Sequence, residues 1–148
     1  MTTSPTIHAS AVLTGAHALL IRGPSGSGKS ALAYALIRAA EIGGFARLVG
    51  DDRVHVEAAN GRVLVRPAEM LQGLIEIRGL GIRRLPFEPV AVVGLVVDLG
   101  AAEAARLPAP ESAVAEVAGV PLPRLAVAPG MDPIPLVYAA LRTQDSGR

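Results

Sequence analysis

The chain has one lysine, Lys29, and the loop motif around it constrains the fold more than any other feature. Residues 23–30 match the pattern G-x-x-x-x-G-K-[ST] in full. Glycines let such a loop curl until successive N–H groups point inward at a polyphosphate. Lys29 is then placed to reach the β- and γ-phosphates of a nucleotide, and the Ser30 hydroxyl to ligate Mg²⁺. The residues expected to hold the phosphates are Gly23, Pro24, Ser25, Gly26, Ser27, Gly28, Lys29 and Ser30.

The sequence on either side of this loop has the order that phosphate binding requires. Residues 18–21, Ala-Leu-Leu-Ile, form a short apolar run that predicts a buried strand. Residues 30–40 are rich in helix formers and lack glycine and proline, so they predict a helix. The N-terminus of that helix would present N–H groups and a positive dipole end to the phosphates. Strand, loop and helix together predict an α/β nucleotide-binding fold, with a mixed sheet and flanking helices.

The composition limits the class of protein. A length of 148 residues predicts one domain, residues 1–148, with a core of its own. Hydrophobic residues make up 51% of the chain but aromatic residues only 3%, so the core has to consist of Ala, Val, Leu and Ile. A net charge of +1 implies no general attraction to nucleic acid or membranes. Cysteine, a signal peptide and an 18-residue apolar segment are all absent from the sequence, so we expect a cytoplasmic protein without disulfides.

Further elements are predicted from short apolar runs and turn signals. The pair Asn60-Gly61 separates two apolar runs and is a strong hairpin signal. The run 90–99 is nearly continuous and predicts a central strand. The other predicted elements are strands over 47–50, 54–58, 62–65, 74–78 and 125–128, helical stretches over 68–72, 101–106 and 134–142, and a frayed tail over 143–148.

Three aspartates compete for the position beside the metal. A nucleotide-dependent transferase needs a carboxylate near Mg²⁺ and a group that orients or deprotonates the nucleophile. Asp51 and Asp52 follow a predicted strand, at the kind of edge where ligands of open α/β sheets gather. Because adjacent side chains point apart on an extended backbone, one can face the metal and the other the substrate. Asp98, after the apolar run 95–97, fits the metal position equally well on sequence alone.

The three histidines give a weaker signal. His8 precedes the first predicted strand, His17 opens that strand, and His55 lies in the predicted hairpin. Imidazole is a plausible acid or base near neutral pH. A lone histidine is nevertheless more often structural or exposed than catalytic, so chemistry alone selects none of the three.

The segment 74–82, Leu-Ile-Glu-Ile-Arg-Gly-Leu-Gly-Ile, carries the most specific resemblance in the chain. It resembles the E-I-R-G-L-G-I signature of the HPr kinase/phosphorylase family. In that family the signature follows a phosphate-binding loop and an A-D-D-R-V segment, which appears here as Gly-Asp-Asp-Arg-Val over 50–54. The family also has a histidine about 21 residues before the loop lysine, and His8 lies 21 residues before Lys29. The resemblance extends over roughly residues 6–140.

The resemblance implies an activity and a fold. Members of the family use ATP to phosphorylate a serine of HPr, the small phosphocarrier of the sugar phosphotransferase system. Many also reverse the reaction by phosphorolysis and release pyrophosphate. Their nucleotide-binding fold resembles that of phosphoenolpyruvate carboxykinase. Members form hexamers, so a homo-oligomer is expected here.

The resemblance also implies roles for individual residues. Carried over by position, Ser30 and Glu76 would be the two protein ligands of Mg²⁺. Asp52, or its neighbour Asp51, would be the base that takes the proton of the substrate serine. His8 would assist that carboxylate. The remaining catalytic positions would be Lys29, the supporting Arg78 and, by a looser alignment, Arg106.

The sequence departs from the family pattern at several places. The usual N-terminal domain has no counterpart here, and the segment between Ile82 and Val90 is short. The late family motif P-V-R-P-G-R, which is tied to phosphorolysis, corresponds to residues 126–131, where Ala128 and Met131 replace both arginines. Guanidinium groups bind phosphate in a bidentate manner. Their loss predicts a kinase with little or no reverse activity, unless Arg106 or Arg124 compensates.

The sequence therefore predicts an ATP-dependent protein serine kinase that acts on HPr or a similar phosphocarrier, with Mg²⁺ as cofactor. One alternative is a small-molecule kinase, which would need a substrate pocket and lid for which no long insert is visible. The other alternative is a nucleotide-binding regulatory module that hydrolyses ATP poorly. Such a module would keep Lys29 and Ser30 but would not need Asp52 or Glu76.

Overall fold

The computed structural model describes residues 5–42 and 44–143, which contain ten strands and two helices. The strands are β1 (Thr6–Thr14), β2 (His17–Arg22), β3 (Ala46–Gly50), β4 (Arg53–Ala59), β5 (Arg62–Pro67), β6 (Leu74–Ile77), β7 (Gly81–Arg84), β8 (Ala91–Asp98), β9 (Val114–Val117) and β10 (Val120–Ala126). The helices are α1 (Lys29–Ala39) and α2 (Pro133–Arg142), with 3₁₀ turns at Glu69–Leu71 and Pro110–Ala113. Among the described residues no helix is long and apolar enough to cross a membrane.

The sheet is mixed, and its order positions the candidate site. Five strands of this sheet are neighbours in the order β3, β1, β2, β8 and β10. Strand β1 is antiparallel to its neighbours β2 and β3, and β2, β8 and β10 are parallel to one another. Four strands therefore run in one direction, so the carboxyl ends of β2, β3, β8 and β10 meet at one edge. Ligands of α/β sheets bind at this kind of edge.

The long strands β1 and β8 each pair with a second set of strands, and these pairings close the sheet on itself. Strand β1 also pairs with β4, β4 pairs with β5, and β5 pairs with β8. The strands β2, β1, β4, β5 and β8 therefore form a closed circle of hydrogen-bonded neighbours. Closure leaves fewer strand edges exposed than an open sheet of the same size.

Two hydrophobic clusters lie on opposite faces of β2. Ala18 and Leu20 belong to the first cluster, in which small and branched residues from eight strands pack together. Leu19 and Ile21 point to the other face, where Leu32 and Leu36 of α1 and Val137 of α2 cover the sheet. Both faces of β2 are thus buried, which accounts for its uninterrupted apolar run.

Most predicted elements are confirmed. The strand over 18–21, the helix after the loop, the central strand and the terminal helix are all present. The hairpin β4–β5 turns at Asn60 and Gly61, both with positive φ (52° and 76°), as its sequence signal requires. The stretch predicted as helical over 68–72 forms a shorter 3₁₀ turn. Of the predicted tail, residues 144–148 lie outside the described residues.

Three predictions of secondary structure were wrong. Residues 101–106 form a turn and bends rather than a helix, because Ala101 N bonds to Val127 O and Glu103 pairs with Arg124. The late strand predicted over 125–128 instead runs from Val120 to Ala126, because its first half forms a hairpin with β9. The first strand was missed altogether: His8 lies inside β1 and not upstream of the sheet.

Candidate active site

The glycine-rich loop, residues 23–30, connects β2 to α1 at the edge where four strands end. Gly23 needs to be glycine, because a Cβ at this position would lie 2.6 Å from Ser27 Oγ and 2.9 Å from Leu99 O. Gly28 precedes the helix with a φ of 101°, and its carbonyl accepts the first helical bond, from Leu32 N. The loop thus packs closely against the sheet at its start, and α1 begins directly at its end.

Lys29 is folded over the start of this loop. Its Nζ donates to Gly23 O at 2.8 Å and to Pro24 O at 3.1 Å. The ammonium group therefore lies against the start of the loop, and Lys29 lines the cleft described below. The role of Lys29 toward a nucleotide stays a prediction.

Asp51 lies directly after β3 and is almost completely buried. Its Oδ1 accepts a hydrogen bond from Ser10 Oγ at 2.6 Å and lies 2.7 Å from Ser30 Oγ. Its Oδ2 accepts from the backbone N–H of Glu76 at 3.1 Å. Every one of these partners is an uncharged donor, so within the described residues no cation neutralises this carboxylate. It orients the Ser30 hydroxyl, which was predicted to bind Mg²⁺.

Asp52 points away from its neighbour and is exposed. Its φ is +69°, and Arg53 N donates to Asp51 O at 2.8 Å across it. This is the rare form of γ-turn with a left-handed central residue, which is strained for any residue except glycine. The turn separates the two aspartates: one carboxylate is buried beside Ser30 and the other faces solvent. Strained backbone of this kind clusters at functional sites.

His8 lies beside Asp52, as the family resemblance implied. Its Nδ1 is 3.8 Å from Asp52 Oδ1, and its Nε2 is 2.9 Å from Nη2 of Arg53. A guanidinium group can only donate, so Nε2 accepts and the ring proton lies on Nδ1, on the side of Asp52. The imidazole thus presents an N–H to the candidate base. Arg53 in turn is tethered by a 3.3 Å bond from Nη1 to Thr6 Oγ1.

The glycine-rich loop, His8 and Asp52 line one cleft, which we call the first cleft. Its volume is about 830 Å³, within the usual size of small-molecule sites. Glu76, Ile77 and Arg78 of the β6–β7 hairpin form one wall, and one face of α1 forms another. The lining residues are His8, Gly23, Pro24, Ser25, Gly26, Gly28, Lys29, Ser30, Ala31, Tyr34, Ala35, Asp52, Glu76, Ile77 and Arg78.

The donor set of the first cleft fits Mg²⁺ bound together with phosphates. Mg²⁺ takes oxygen ligands and is usually held by one or two carboxylates, waters and substrate phosphates rather than by a protein cage. Among the described residues no group of three or more His, Cys, Asp or Glu forms such a cage. The first cleft offers Ser30 Oγ and the exposed carboxylates of Glu76 and Asp52 as oxygen ligands, and Asp51 is bonded to Ser30 Oγ and to the backbone N–H of Glu76.

Asp98, the rival candidate for the metal, is occupied by cations. Its Oδ1 accepts from Arg22 Nε at 2.7 Å, and its Oδ2 accepts from Arg22 Nη2 at 2.8 Å and from Arg124 Nε at 2.5 Å. Burial on its own would raise the pKa of Asp98, but the hydrogen bonds and charges of Arg22 and Arg124 outweigh it and lower the pKa. The Asp98 carboxylate lines neither cleft and holds together the ends of β2, β8 and β10.

Two further arginines behave differently from the expectations. Arg106 is exposed in the segment after β8 and does not line either cleft, so the structure does not bring it to the predicted site. Arg124 is bonded to Asp98, to Glu103 at 2.5 Å and to Ser112 O at 3.1 Å. It is therefore engaged in the fold by two carboxylates and a backbone carbonyl.

Ser10 is a site residue that sequence reasoning missed. It is fully buried in β1, donates to Asp51 Oδ1, and accepts from Asp52 N at 3.4 Å. It thus contacts both aspartates of the γ-turn. One signal in the sequence could have found it, since a lone hydroxyl inside the small apolar run 9–12 has to bond to something when it is buried.

Comparison with known proteins bears directly on this arrangement. The model of the HPr Serine kinase C-terminal domain family matches residues 1–86, more than half of the chain. The chain belongs to this family. The matched range contains the glycine-rich loop, the aspartate pair and the β6–β7 hairpin.

Individual relatives agree with the family assignment. The chain is 48% identical over 65 residues to an HPr kinase/phosphorylase of Streptococcus thermophilus, which is 43% of this chain and 19% of that protein. It is 41% identical over 64 residues to the HPr kinase/phosphorylase of Clostridium beijerinckii, which is 43% of this chain and 20% of that protein. These alignments span about a fifth of the relatives' length.

A solved structure matches almost the whole chain. The HPr(Ser) kinase/phosphatase from Coxiella burnetii has a TM-score of 0.72 and covers 92% of both chains at 24% sequence identity. At this identity the match shows a shared fold. Because it covers 92% of the chain, it extends well beyond residues 1–86, which the family model matches.

Proposed function

We propose that the chain is a Mg²⁺- and ATP-dependent protein serine kinase whose substrate is HPr or a closely similar phosphocarrier. The observation that carries this proposal is the convergence of three features on the first cleft: a phosphate-binding loop, an oriented Ser30 hydroxyl, and an exposed carboxylate, Asp52, beside His8. Family membership supplies the substrate class. The substrate implies a cytoplasmic location, and a homo-oligomer stays a prediction.

The residues of the first cleft divide the chemistry between them. The loop N–H groups and Lys29 hold the phosphates of ATP, and bound Mg²⁺ offsets the charge of the β- and γ-phosphates. Ser30 and Glu76 are the proposed Mg²⁺ ligands. Asp52 accepts the proton of the substrate serine as its oxygen bonds to phosphorus, and ADP leaves. The Nδ1–H of His8 stabilises the orientation of the Asp52 carboxylate.

Transfer from γ-labelled ATP to purified HPr tests this proposal. Lys29→Ala is expected to abolish transfer and weaken ATP binding. Asp52→Asn is expected to keep ATP affinity but to lower transfer by roughly 10²-fold or more, because a positioned base is lost. Glu116→Gln, an exposed carboxylate on β9, serves as the matched control and should transfer at the wild-type rate. ATP binding with little hydrolysis and without any labelled HPr would favour the regulatory-module alternative.

We further propose that the enzyme has little phosphorolysis activity. The reverse reaction brings inorganic phosphate next to a phosphoserine, so fixed positive charge is needed to offset the repulsion. Ala128 and Met131 supply none, and Arg124 is bonded to two carboxylates. Phosphoserine-HPr incubated with Mg²⁺ and millimolar phosphate should release almost no pyrophosphate. Release at a rate comparable to the forward reaction would refute this proposal.

A further inference from the structure

A second cleft of about 660 Å³ lies on the other side of the glycine-rich loop. Its walls are residues 24–27 of the loop, the start of the segment after β8, and the segment between β10 and α2. The lining residues are Pro24, Ser25, Gly26, Ser27, Leu99, Gly100, Val127, Ala128, Pro129, Gly130, Met131, Asp132 and Pro133. The proposed phosphate transfer from ATP to HPr uses none of the residues from 99 to 133.

The two clefts are adjoining parts of one groove that crosses the loop. Pro24, Ser25 and Gly26 line both of them. Apart from the loop, the first cleft is lined by residues up to Arg78, and the second by residues from Leu99 onward. The sheet order explains this division, because β3 and β1 lie on one side of β2 while β8 and β10 lie on the other.

A bound triphosphate would therefore have a defined direction. Its γ-phosphate has to lie at the first cleft, next to Asp52 and the Mg²⁺ ligands. The opposite end of the same molecule then leaves the loop away from Asp52, and the second cleft adjoins the loop on that side. The carboxyl ends of β8 and β10, where this cleft lies, are also where ligands of α/β sheets bind.

The lining of the second cleft suits an uncharged group and not a phosphate. Most of its side chains are apolar, and its one charged side chain is Asp132, a carboxylate. A carboxylate repels phosphate but accepts hydrogen bonds from hydroxyl and amino groups. Ser27 Oγ, on the loop side, is buried and has no hydrogen-bond partner among the described residues. A purine nucleoside combines apolar ring faces with polar edges and sugar hydroxyls, which matches this set.

We propose that the second cleft binds the nucleoside of the substrate nucleotide, with the base packed between Pro24 and the residues 127–131. This inference rests on the proposed function, because it takes ATP as the nucleotide. It also gives residues 126–131 a role in nucleoside binding, although this chain lacks the two arginines that the family motif has there. The base contacts Ala128 and Met131, where the family motif has cations.

A matched pair of alanine substitutions tests the proposal. Ala128→Phe fills the second cleft, and Ala35→Phe fills the first cleft along α1. Isothermal titration with Mg·ATP and with Mg·tripolyphosphate, which lacks the nucleoside, measures both parts of the groove. Ala128→Phe should raise the Kd of ATP about tenfold or more and change that of tripolyphosphate less than about twofold. Ala35→Phe should not raise the Kd of ATP more than it raises the Kd of tripolyphosphate.

A fluorescent reporter gives a second, independent readout. The chain has no tryptophan, so Met131→Trp places a single one at the rim of the second cleft. Val114→Trp is the control, since Met131 and Val114 are 53% and 50% exposed and Val114 lines neither cleft. The emission of the Met131→Trp protein should change on addition of Mg·ATP and not of Mg·tripolyphosphate. The Val114→Trp protein should respond to neither.

Other outcomes overturn the proposal. If Ala35→Phe rather than Ala128→Phe weakens ATP selectively, the nucleoside lies along α1. If Ala128→Phe weakens ATP and tripolyphosphate equally, or neither, the second cleft has no selective role for the nucleoside. The Lys29→Ala protein distinguishes a wrong position for the nucleoside from a wrong assignment of the loop as the ATP site. A Lys29→Ala protein that binds both ligands with wild-type affinity would show that the loop is not the phosphate site.

Discussion

Asp51 and Asp98 stand at the same edge of the sheet and have opposite surroundings. Asp51 directly follows β3, and Asp98 is the last residue of β8. Asp51 is bonded to two hydroxyls and a backbone N–H, all of them uncharged. Asp98 is bonded to two guanidinium groups. Both carboxylates have hydrogen-bond partners, but only Asp98 has its charge neutralised by the described residues.

This difference in partners indicates which aspartate at the end of a strand is suited to bind a metal ion. Uncharged donors fix the orientation of a carboxylate and leave its negative charge available to a cation. Guanidinium groups satisfy the same oxygens and cancel the charge, so they compete with a metal. Position at the carboxyl end of a strand is therefore insufficient, and the partners decide the role. We therefore propose that Asp51 serves the candidate active site and Asp98 the fold.

The largest expected effect is the loss of stability on replacing Asp98. Asp98→Asn leaves Arg22 and Arg124 close together and without the carboxylate, although Glu103 still pairs with Arg124. Breaking a buried ion pair by removing one partner typically costs about 3–5 kcal/mol. Denaturant unfolding should show a loss of that order for Asp98→Asn. The control Glu111→Gln, at an exposed carboxylate, should be nearly neutral. A loss below about 1 kcal/mol would contradict the structural role.

The same variant has a defined pH dependence. The pKa of Asp98 is lowered in the folded protein, because the bonds and charges of Arg22 and Arg124 outweigh the effect of burial. A carboxyl whose folded pKa lies below its unfolded pKa stabilises the protein fully above the unfolded value, about pH 4. That contribution is lost as the pH falls through the folded pKa. The difference in unfolding free energy between wild type and Asp98→Asn should therefore shrink below about pH 4.

A smaller effect is expected on activity when Asp51 is replaced. Asp51→Asn keeps the shape but removes the charge that orients Ser30, a proposed Mg²⁺ ligand. Loss of a group that supports metal ligands typically costs 10- to 100-fold in activity or affinity, or about 1.4–2.7 kcal/mol. Transfer to HPr should fall in that range and recover in part at high Mg²⁺. The assay contradicts this account if Asp51→Asn transfers at the wild-type rate at every Mg²⁺ concentration.

The smallest expected effect concerns the strained turn at Asp52. Asp52→Gly and Asp52→Ala both remove the candidate base, so both should abolish most transfer. They differ in backbone freedom, because a φ of +69° is unstrained only for glycine. Asp52→Gly should therefore be more stable than Asp52→Ala by about 1 kcal/mol. Equal melting temperatures for the two variants would show that the turn relaxes without cost.

Local patterns predicted the part of the site that is continuous in sequence. The glycine-rich loop, the strand and helix beside it, and the β4–β5 hairpin all follow from short-range signals and are confirmed. The divergence of Asp51 and Asp52 was also expected, but a γ-turn with positive φ at Asp52 produces it, and not the alternation of an extended strand. The family resemblance correctly brought His8 and Glu76 to the same cleft as Asp52.

Long-range pairings were beyond the reach of such signals. Asp98 meets Arg22 across 76 residues and Arg124 across 26, and no local spacing connects them. Strand β1 was missed because its alternation depends on neighbours at both of its edges, β2 on one side and β3 and β4 on the other. Ser10 was missed with it, although it holds both aspartates of the site.

Metal binding in the presence of ATP tests the central contrast most directly. Mn²⁺ replaces Mg²⁺ with similar ligands, and the signal of the free ion in electron paramagnetic resonance falls as Mn²⁺ binds. Titration of wild type, Asp51→Asn and Asp98→Asn at saturating ATP gives three apparent Kd values. We expect a rise of about tenfold or more for Asp51→Asn and a change below about twofold for folded Asp98→Asn. The reverse order, with Asp98→Asn weakened and Asp51→Asn unchanged, would contradict the assignment of the two aspartates.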